Sequence, residues 1–386
     1  MNSKGDSVVS KEIKERRANS ANVPEGQRAG LAAGKRKKSS FLSGVVLTVA
    51  VFVAILTLLL FLANGAISLL YTKFGDGDYS NEKITVADRV EDMRPYQSSA
   101  LEDAKFSSMV EKATLNYNAM SSNIKADENV LNYLVLGIDK YTDDPSVVAH
   151  ADIIMIVSVN KVTNKITGAK LNNRVLAYIP EVDKVGPLQD AYEWGGAALL
   201  AKTVSENFGI EINGYAEVTT KAFSGMVDAV GGINLALNDR EIVAVNEAIP
   251  TLKEILNNEN IDDVYRDDTG RVKLGGNQML AYLMTRNDKF SQLKHILKIT
   301  GMNALTSGLG KCTRVAKALI SNTDASVSRK EVTSLVGVGI SFIKNPSAKF
   351  VYVGDKAVDR YSLNVHTVDY EAERTALITA LYGASK

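Results

Sequence analysis

LNYLVLGID (131–139), ADIIMIVSVN (151–160) and, after the turn KVTNK, KITGAKL (165–171) are the three short apolar runs that decide the fold class. Each run is rich in Val, Ile or Leu. Continuous apolar runs of this length are typical of strands that are covered on both faces. The three runs therefore predict buried, neighbouring strands.

Helical segments follow these strands and alternate with further strands. We predict helices at 196–208 (GAALLAKTVSENF) and 221–230 (KAFSGMVDAV), after which Gly231–Gly232 ends the helix and INLAL (233–237) begins a strand. The other predicted elements are helices at 276–285, 290–305, 328–344 and near 370–383, and a strand at 349–353. This alternation predicts an α/β domain over residues 128–386, a three-layer α-β-α arrangement around a central mixed sheet.

Residues 41–71 are predicted to form one transmembrane helix. No Asp, Glu, Lys or Arg lies between Lys38 and Lys73, and the run VVLTVAVFVAILTLLLFLA (45–63) has 19 residues of which only two are polar. A helix of about 20 apolar residues crosses the hydrocarbon core. A buried core helix would show a polar face, and a cleaved signal peptide would have a shorter leader and apolar stretch. We therefore expect a retained membrane anchor.

The charge of the amino end sets the expected orientation. Residues 1–40 carry ten basic and four acidic side chains, a net +6 in a chain whose total is +1. This basic excess predicts a disordered cytoplasmic tail and a carboxyl-terminal domain outside the plasma membrane, in a single-pass topology. The near-zero total charge argues against a nucleic-acid binder, and an anionic inner leaflet is the simpler partner for the basic cluster KRKK (35–38).

Residues 72–127 are predicted to connect the membrane to the domain. The segment 72–90 is rich in Gly, Asp, Asn and Ser and predicts a linker. The segment 97–124 has apolar residues at helical spacing and predicts one or two stalk helices packed on the domain.

Residue counts and spacing exclude several kinds of site. Cys312 is the only cysteine, so an internal disulfide and a CxxC site are impossible, and three widely spaced histidines argue against a zinc site. GLGKCT (308–313) superficially resembles a phosphate loop, but Leu305 stands where its first glycine is required and Cys312 where Ser or Thr is required.

Two carboxylates stand at the ends of the first two predicted strands. Asp139 ends the first strand and Asp152 opens the second, so they would face each other across the loop 140–151. In α/β sheets, ligands bind beyond the carboxyl ends of strands, and Mg²⁺ is usually held by one or two carboxylates together with substrate phosphates. This pattern favours a Mg²⁺ site; the alternative is that each charge caps an element or faces solvent.

Two arginines are candidates for binding a diphosphate. Arg174 follows the third predicted strand, and Arg286 follows the helix that contains Tyr282. The guanidinium fork binds two phosphate oxygens at once. A capping or solvated charge is again the structural alternative.

A longer pattern lies at DAYEWGGAALLAKTVSENFGIEINGYAEVTTKAFSGMVDAVGGINLAL (190–237). In order and spacing it resembles the LytR–CpsA–Psr family, and the similarity runs through most of 131–300. NYLVLGIDK (132–140) is similar to the family's first-strand motif, and ADIIMIVSVN is similar to its Arg-Ser-Asp-Thr strand. LGGNQMLAYLMTR (274–286) resembles the helix that ends in Arg-x-Arg. The predicted topology of tail, single span and outside domain is also similar.

This resemblance implies an activity. It implies transfer of a glycopolymer, such as teichoic acid or capsule, from a polyprenyl-pyrophosphate carrier to cell-wall peptidoglycan, with Mg²⁺, in a Gram-positive-type envelope. Asp139 and Asp152 stand at the family's two metal-linked aspartates, and Arg286 stands at the second arginine of Arg-x-Arg. In such chemistry the metal and the arginines neutralise charge that builds on the diphosphate leaving group.

The sequence departs from the family pattern at several positions. His150 and Ala151 replace the Arg and Ser of Arg-Ser-Asp, and Met284 replaces the first arginine of Arg-x-Arg. Asn173 stands at the catalytic arginine, with Arg174 one place later. Because adjacent side chains of a strand point to opposite faces, Arg174 can replace that arginine only in a bulge or a loop. The downstream donors that remain are Lys294, His295 and Lys298, in FSQLKHILK (290–298).

Two functions therefore stay open. The first is an active transferase with Arg174, Arg286 and Asp152 as catalytic residues and Mg²⁺ held by Asp139 and Asp152. Its pyrophosphate would be bound by five side chains: Arg174, Arg286, Lys294, His295 and Asn173. The second is a catalytically degenerate relative that binds polyprenyl-linked or anionic envelope material as a scaffold or regulator.

Overall fold

The structure, a computed structural model, describes residues 83–86, 104–139, 149–286, 289–307, 309–326, 348–361 and 365–383. The predicted tail (1–40), transmembrane helix (41–71) and helix 328–344 lie outside these residues. Among the helices that the structure does describe, none has both the length and the apolar character needed to cross a membrane.

The predicted strands between 131 and 171 are present within one residue of their expected bounds. Seven short strands, β4, β5, β6, β8, β9, β11 and β12, were not predicted, because their short sequences lack a clear apolar alternation. The described strands are β1 (Val130–Ile138), β2 (Ala151–Asn160), β3 (Lys165–Leu171), β4 (Leu176–Ile179), β5 (Lys184–Pro187), β6 (Gly214–Thr219), β7 (Ile233–Leu235), β8 (Val272–Leu274), β9 (Thr323–Ser326), β10 (Ala348–Val353), β11 (Asp359–Tyr361) and β12 (Val365–Thr367).

The helices also lie close to their predicted positions, although α4 and α7 were not predicted. A short 3-10 turn, Pro180–Val182, separates β4 from β5. The described α-helices are α1 (Ala104–Met120), α2 (Asp190–Phe208), α3 (Thr220–Ala229), α4 (Asp239–Leu256), α5 (Gly276–Met284), α6 (Lys289–Thr306), α7 (Leu309–Ser321) and α8 (Tyr370–Tyr382).

The central sheet has six strands in the order β10-β3-β2-β1-β6-β9. β1 pairs antiparallel with β2 and parallel with β6, and β3 pairs antiparallel with β2 and parallel with β10. The last pair, β6 with β9, is antiparallel. The predicted mixed α/β fold with a central mixed sheet is therefore confirmed.

Both faces of the central strands are buried, as their apolar runs predicted. On one face, Leu136 of β1 lies opposite Ile154 of β2, and both belong to a core that includes side chains of α2 and α8. On the other face, Met155 and Val157 of β2 are also buried. The helix predicted at 328–344 lies outside the described residues, so the full three-layer arrangement stays a prediction.

A second core holds the helices that follow the sheet. α3, α4, α5 and the antiparallel pair of β7 and β8 contribute its buried side chains, among them Val227, Ile249 and Leu280. α5 starts directly against α3: the Gly276 N–H donates to the Asp228 carboxylate (2.7 Å). A Cβ on Gly276 would lie 2.2 Å from the backbone oxygen of Ser224, so only glycine permits this approach.

The helix predicted within 97–124 is α1, and it packs on the domain. Phe106, Met109 and Ala113 recur at helical spacing and are buried in a cluster with Leu176 and side chains of β11 and β12. The role of α1 as a membrane stalk stays a prediction.

α2 begins six residues before the predicted start at Gly196. Its first turn, from Asp190, is separated from the rest by non-helical backbone at Gly195 and Gly196, where Gly196 has φ +69°. Glycine adopts this left-handed conformation without steric cost. The kink separates the first turn of α2 from the rest of the helix. This first turn, called the α2 platform below, carries three of the side chains of the candidate site.

Val227→Asp is expected to unfold the domain, because Val227 of α3 is fully buried and an unpaired carboxylate there costs more than about 3 kcal/mol. Thermal denaturation followed by circular dichroism measures the effect. Val243→Asp is the matched control, since Val243 lies on α4 and is exposed. A melting temperature for Val227→Asp equal to that of the control would contradict the buried position.

Candidate functional site

Asp139 and His150 are hydrogen-bonded to each other at the end of the central strand β1. Asp139 follows β1 directly, and its N–H donates to the His150 carbonyl oxygen (3.1 Å). In return, the His150 N–H donates to the Asp139 carboxylate (2.5 Å). The Asp139 carboxylate is therefore fixed by backbone at the edge of the sheet where the sequence predicted a metal site.

Asp139 and Asp152 lie close enough to influence each other. Burial raises the pKa of the Asp139 carboxyl, the His150 N–H opposes this, and the negative charge of Asp152 raises the pKa further. Asp152 itself is exposed. Two repelling carboxylates, one of them open to solvent, fit a divalent cation because its charge removes the repulsion.

The two aspartates would form only part of a metal shell. Within the described ranges, no group of three or more His, Cys, Asp or Glu side chains is arranged to hold a metal ion. Mg²⁺ bound at this pair would take its remaining ligands from water and phosphate oxygens, as it commonly does. The donor set present fits Mg²⁺ in that limited sense.

His150 is paired with Glu193, which lies in the first turn of α2. The Nδ1–Oε1 distance is 2.5 Å, and the Glu193 side chain is almost buried. Burial acts to lower the pKa of His150, but the hydrogen bond and charge of Glu193 outweigh it, so the pKa is raised. At the position where the family pattern has an arginine, this chain therefore has His150, whose imidazole is paired with the Glu193 carboxylate.

Asp190 is a second carboxyl group in that first turn, and sequence reasoning missed it. Burial raises its pKa to about 7; Glu193 adds to the shift, whereas Arg174 and His150 oppose it. A Cβ on Gly186 would lie 3.1 Å from its Oδ2 atom, so the glycine leaves room for the carboxyl. Asp190 therefore gains and loses a proton near neutral pH.

Arg174 lies in a turn, as its suggested role requires. Residues 172–175 connect β3 to β4, and the Arg174 N–H donates to the Asn172 side chain (3.0 Å). Because this backbone is not a strand, the alternation of side chains does not prevent Arg174 from facing the site. The positive charge of Arg174 opposes the rise in the pKa of Asp190, so the two side chains lie near each other.

Asn173, which stands at the position of the family's catalytic arginine, is hydrogen-bonded to Gln189. Its Nδ2 donates to the side-chain oxygen of Gln189 (2.9 Å), and its carbonyl oxygen accepts from the Gln189 N–H (3.1 Å). Asn173 thus holds the start of α2 against the β3–β4 turn.

Arg286 lies among other partners. Its Nη1 donates to Glu241 Oε1 (2.8 Å), and its guanidinium carbon lies 4.2 Å from the centre of the Tyr282 ring. Its Nε and Nη2 are buried and have no acceptor among the described residues. Within the same part of the chain, no hydrogen bond or ion pair joins Arg286 to Asp139 or Asp152.

The two remaining sequence candidates lie on α6. His295 is exposed, and the side chain of Lys294 lies outside the described part of the chain. The structure therefore brings Asp139 near Asp152, and Arg174 near Asp190. Among the described residues, no hydrogen bond or ion pair joins any of them to Arg286 or His295.

Tyr192 connects the α2 platform to the sheet. Its hydroxyl donates to Glu217 of β6 (3.3 Å), and Glu217 pairs across the ladder with Asp324 of β9. Burial, followed by the charges of Glu217, Asp324 and Asp139, raises the pKa of Tyr192. Glu217 and Asp324 could not be found from the sequence, because neither β6 nor β9 was predicted.

Asp190→Asn is expected to change how stability depends on pH. An ordinary Asp has a pKa of 3.8, whereas folded Asp190 has a pKa of about 7. Between these values the folded state keeps a proton that the unfolded chain has lost, so the free energy of unfolding falls as pH rises. In Asp190→Asn this proton is absent, so the free energy of unfolding no longer falls with pH. The difference in the free energy of unfolding, variant minus wild type, should therefore rise by up to about 4 kcal/mol from pH 4 to pH 8.

Urea denaturation at several pH values measures this difference. Asp268→Asn is the control, because Asp268 lies in an exposed turn. Parallel stability curves for Asp190→Asn and wild type would show that the Asp190 carboxyl titrates normally.

Comparison with known proteins identifies a family. The LytR_cpsA_psr family model matches residues 96–337. Two relatives carry the name polyisoprenyl-teichoic acid–peptidoglycan teichoic acid transferase TagU. The protein from Bacillus cereus is 26% identical over 45% of this chain and 50% of its own length, and that from Enterococcus faecalis is 28% identical over 44% and 52%. The chain thus spans about half the length of these curated relatives.

Another relative and two solved structures complete the comparison. Biofilm regulatory protein A of Streptococcus mutans is 24% identical over 55% of this chain and 54% of its own. Protein gbs0355 of Streptococcus agalactiae has a TM-score of 0.50 at 18% identity, covering 67% of this chain and 90% of that one, which shows the fold. YwtF (TagT) with bound octaprenyl pyrophosphate lipid has a TM-score of 0.42 at 18% identity, with 67% and 93% covered.

The family model covers well over half of the chain, from the start of the α1 region to beyond β9. The mixed sheet agrees with the fold of gbs0355, and the paired aspartates lie at the end of the first strand. The protein belongs to the LytR–CpsA–Psr family.

Proposed function

We propose that the protein is a membrane-anchored transferase that moves a glycopolymer from a polyprenyl-pyrophosphate carrier to peptidoglycan on the outer side of the plasma membrane. The family supports this proposal, and the TagU relatives are named as transferases of that kind. The residues of this chain add support that is independent of those names.

The observation that carries the proposal is the state of Arg286. Two of its donor atoms, Nε and Nη2, are buried without an acceptor in the described residues. Leaving buried charged donors unsatisfied costs free energy, typically about 1–3 kcal/mol per group. A phosphate group removes this cost, because its oxygens accept both donors at once.

The carboxylates at the end of β1 support the same substrate. Asp139 and Asp152 would hold Mg²⁺, which when bound supplies charge neutralisation at a diphosphate. Arg174 would contact a phosphate group from the β3–β4 turn. Together these residues bind and orient a pyrophosphate, and their role is mainly electrostatic because phosphoryl transfer requires little covalent participation by the protein.

The proposed reaction exchanges one phosphorus–oxygen bond for another. A hydroxyl of the peptidoglycan acceptor attacks the phosphorus that carries the glycopolymer, and the bond to the polyprenyl phosphate breaks. The hydroxyl releases its proton to water, and the leaving polyprenyl phosphate takes the electron pair of the broken bond. Arginine side chains near this phosphate neutralise the charge that develops in the transition state.

A second candidate function is binding without turnover. Asn173 stands where the family has its catalytic arginine and is hydrogen-bonded to Gln189, and His150 is engaged by Glu193. Such a protein would hold polyprenyl-linked or anionic envelope material as a scaffold or regulator. The two functions share the pyrophosphate site and differ only in cleavage.

Asp152→Ala is expected to lower Mg²⁺-dependent cleavage of a polyprenyl-pyrophosphate-linked saccharide at least about tenfold, because one of two proposed metal ligands is lost. Release of polyprenyl phosphate by the full-length protein in detergent measures the rate. Asp268→Ala is the control, since it removes an exposed carboxylate from a turn that is not among the proposed site residues. An unchanged rate in Asp152→Ala would remove Asp152 from the mechanism.

Arg286→Ala separates the two candidate functions when binding and cleavage are measured together. Loss of wild-type cleavage in Arg286→Ala supports the transferase. Binding by the wild type without any cleavage supports the second function. Neither binding nor cleavage by a folded wild-type protein would refute both.

A further inference from the structure

We propose that Glu241 is a positioning residue for Arg286: it holds the guanidinium in the one orientation that leaves Nε and Nη2 together for a phosphate group. The inference rests on the proposed function, because it concerns the same pyrophosphate site. Glu241 lies in the first turn of α4, outside every motif identified in the sequence.

Two contacts fix the guanidinium. Its Nη1 donates to Glu241 Oε1 (2.8 Å), and its central carbon lies over the face of the Tyr282 ring, 4.2 Å from the ring centre. The Tyr282 hydroxyl is itself held by a hydrogen bond to Gln292 of α6 (2.9 Å). A planar group held at one edge nitrogen and across one face has little rotational freedom.

The geometry of the free donors defines the ligand. Nε and Nη2 form one side of the guanidinium fork, and this side presents two parallel N–H bonds to a phosphate or carboxylate. Because Glu241 bonds to Nη1, it leaves Nε and Nη2 without an acceptor among the described residues. The ion pair therefore selects which donors remain for an anion.

Glu241 is itself immobilised by the start of its helix. Its second carboxylate oxygen, Oε2, accepts the N–H of Asn238 (2.8 Å), and the Asn238 side chain accepts the Glu241 N–H (3.0 Å), a complete capping box. The Asn238 N–H, and then the Arg286 guanidinium, hold the pKa of Glu241 below its usual value. The two carboxylate oxygens thus act separately, since Oε2 holds the helix end and Oε1 holds Arg286.

Glu241→Gln tests the assignment. A Gln side chain keeps the capping box but removes the charge that attracts the guanidinium. We expect the full-length protein to bind farnesyl pyrophosphate about tenfold more weakly, as measured by titration calorimetry in detergent, and to bind farnesol unchanged. Asp239→Asn is the matched control: Asp239 lies in the same first turn, pairs with Arg266 (2.6 Å), and should leave the affinity unchanged.

A double-mutant cycle with Arg286→Gln shows whether Glu241 acts through Arg286. In the Arg286→Gln background, Glu241→Gln should cause no further loss of affinity. An equal further loss would overturn the proposal, and so would unchanged or tighter binding by Glu241→Gln alone, since tighter binding would make Glu241 a competitor of the anion.

A second variant covers the case in which Glu241→Gln melts at a lower temperature than wild type. Glu241→Asp keeps the negative charge at the helix start but withdraws it by one methylene, and it too should weaken farnesyl pyrophosphate binding. Wild-type affinity in Glu241→Asp would overturn the assignment. If folded wild-type protein does not bind farnesyl pyrophosphate, the proposed function itself is wrong, which is a different result from wild-type binding that Glu241 does not affect.

Discussion

The structure depends on the burial of β1 between two neighbours of opposite direction. β1 is paired along its whole length with β2 and, in its second half, with β6. Its backbone groups are thereby satisfied within the sheet, and its side chains can be apolar on both faces. Asp139 directly follows this strand and is its first polar neighbour, so the candidate site lies at the point where the buried strand ends.

The first turn of α2 depends on that strand end. Glycines at 195 and 196 break the helix, and the turn before the break brings Asp190, Tyr192 and Glu193 to the sheet edge. Glu193 engages His150, and Tyr192 reaches Glu217 on β6. In the family pattern, arginines would give this sheet edge a positive charge. In this chain the same edge is instead rich in carboxylates. A divalent cation and Arg174 are the groups that would make such a region attractive to a diphosphate.

Arg286 is supported by a different part of the molecule. The second core builds α3, α4 and α5 into one unit, and the helix cap of α4 supplies the carboxylate that orients the guanidinium. Its partners Glu241 and Tyr282 belong to the helices of the second core rather than to the sheet edge, so the proposed pyrophosphate contacts are supported by two different hydrophobic cores. The proposed position of the pyrophosphate therefore depends on the packing of α4 against α5, which orients Arg286, as well as on the end of β1, which places Asp139.

The sequence by itself determined the strands between 131 and 171, most helices, the family and the position of Asp139 and Asp152, because apolar periodicity and motif spacing are local properties of the chain. It missed β6, β9 and α4, whose short or mixed sequences carry little periodicity, and with them Glu217, Asp324 and Glu241. The roles of Asp190 and Asn173 and the pairing of His150 with Glu193 also required the structure. Only the tertiary structure decided these, since the partners lie far apart in sequence and hydrogen bonding, burial and charge act through space.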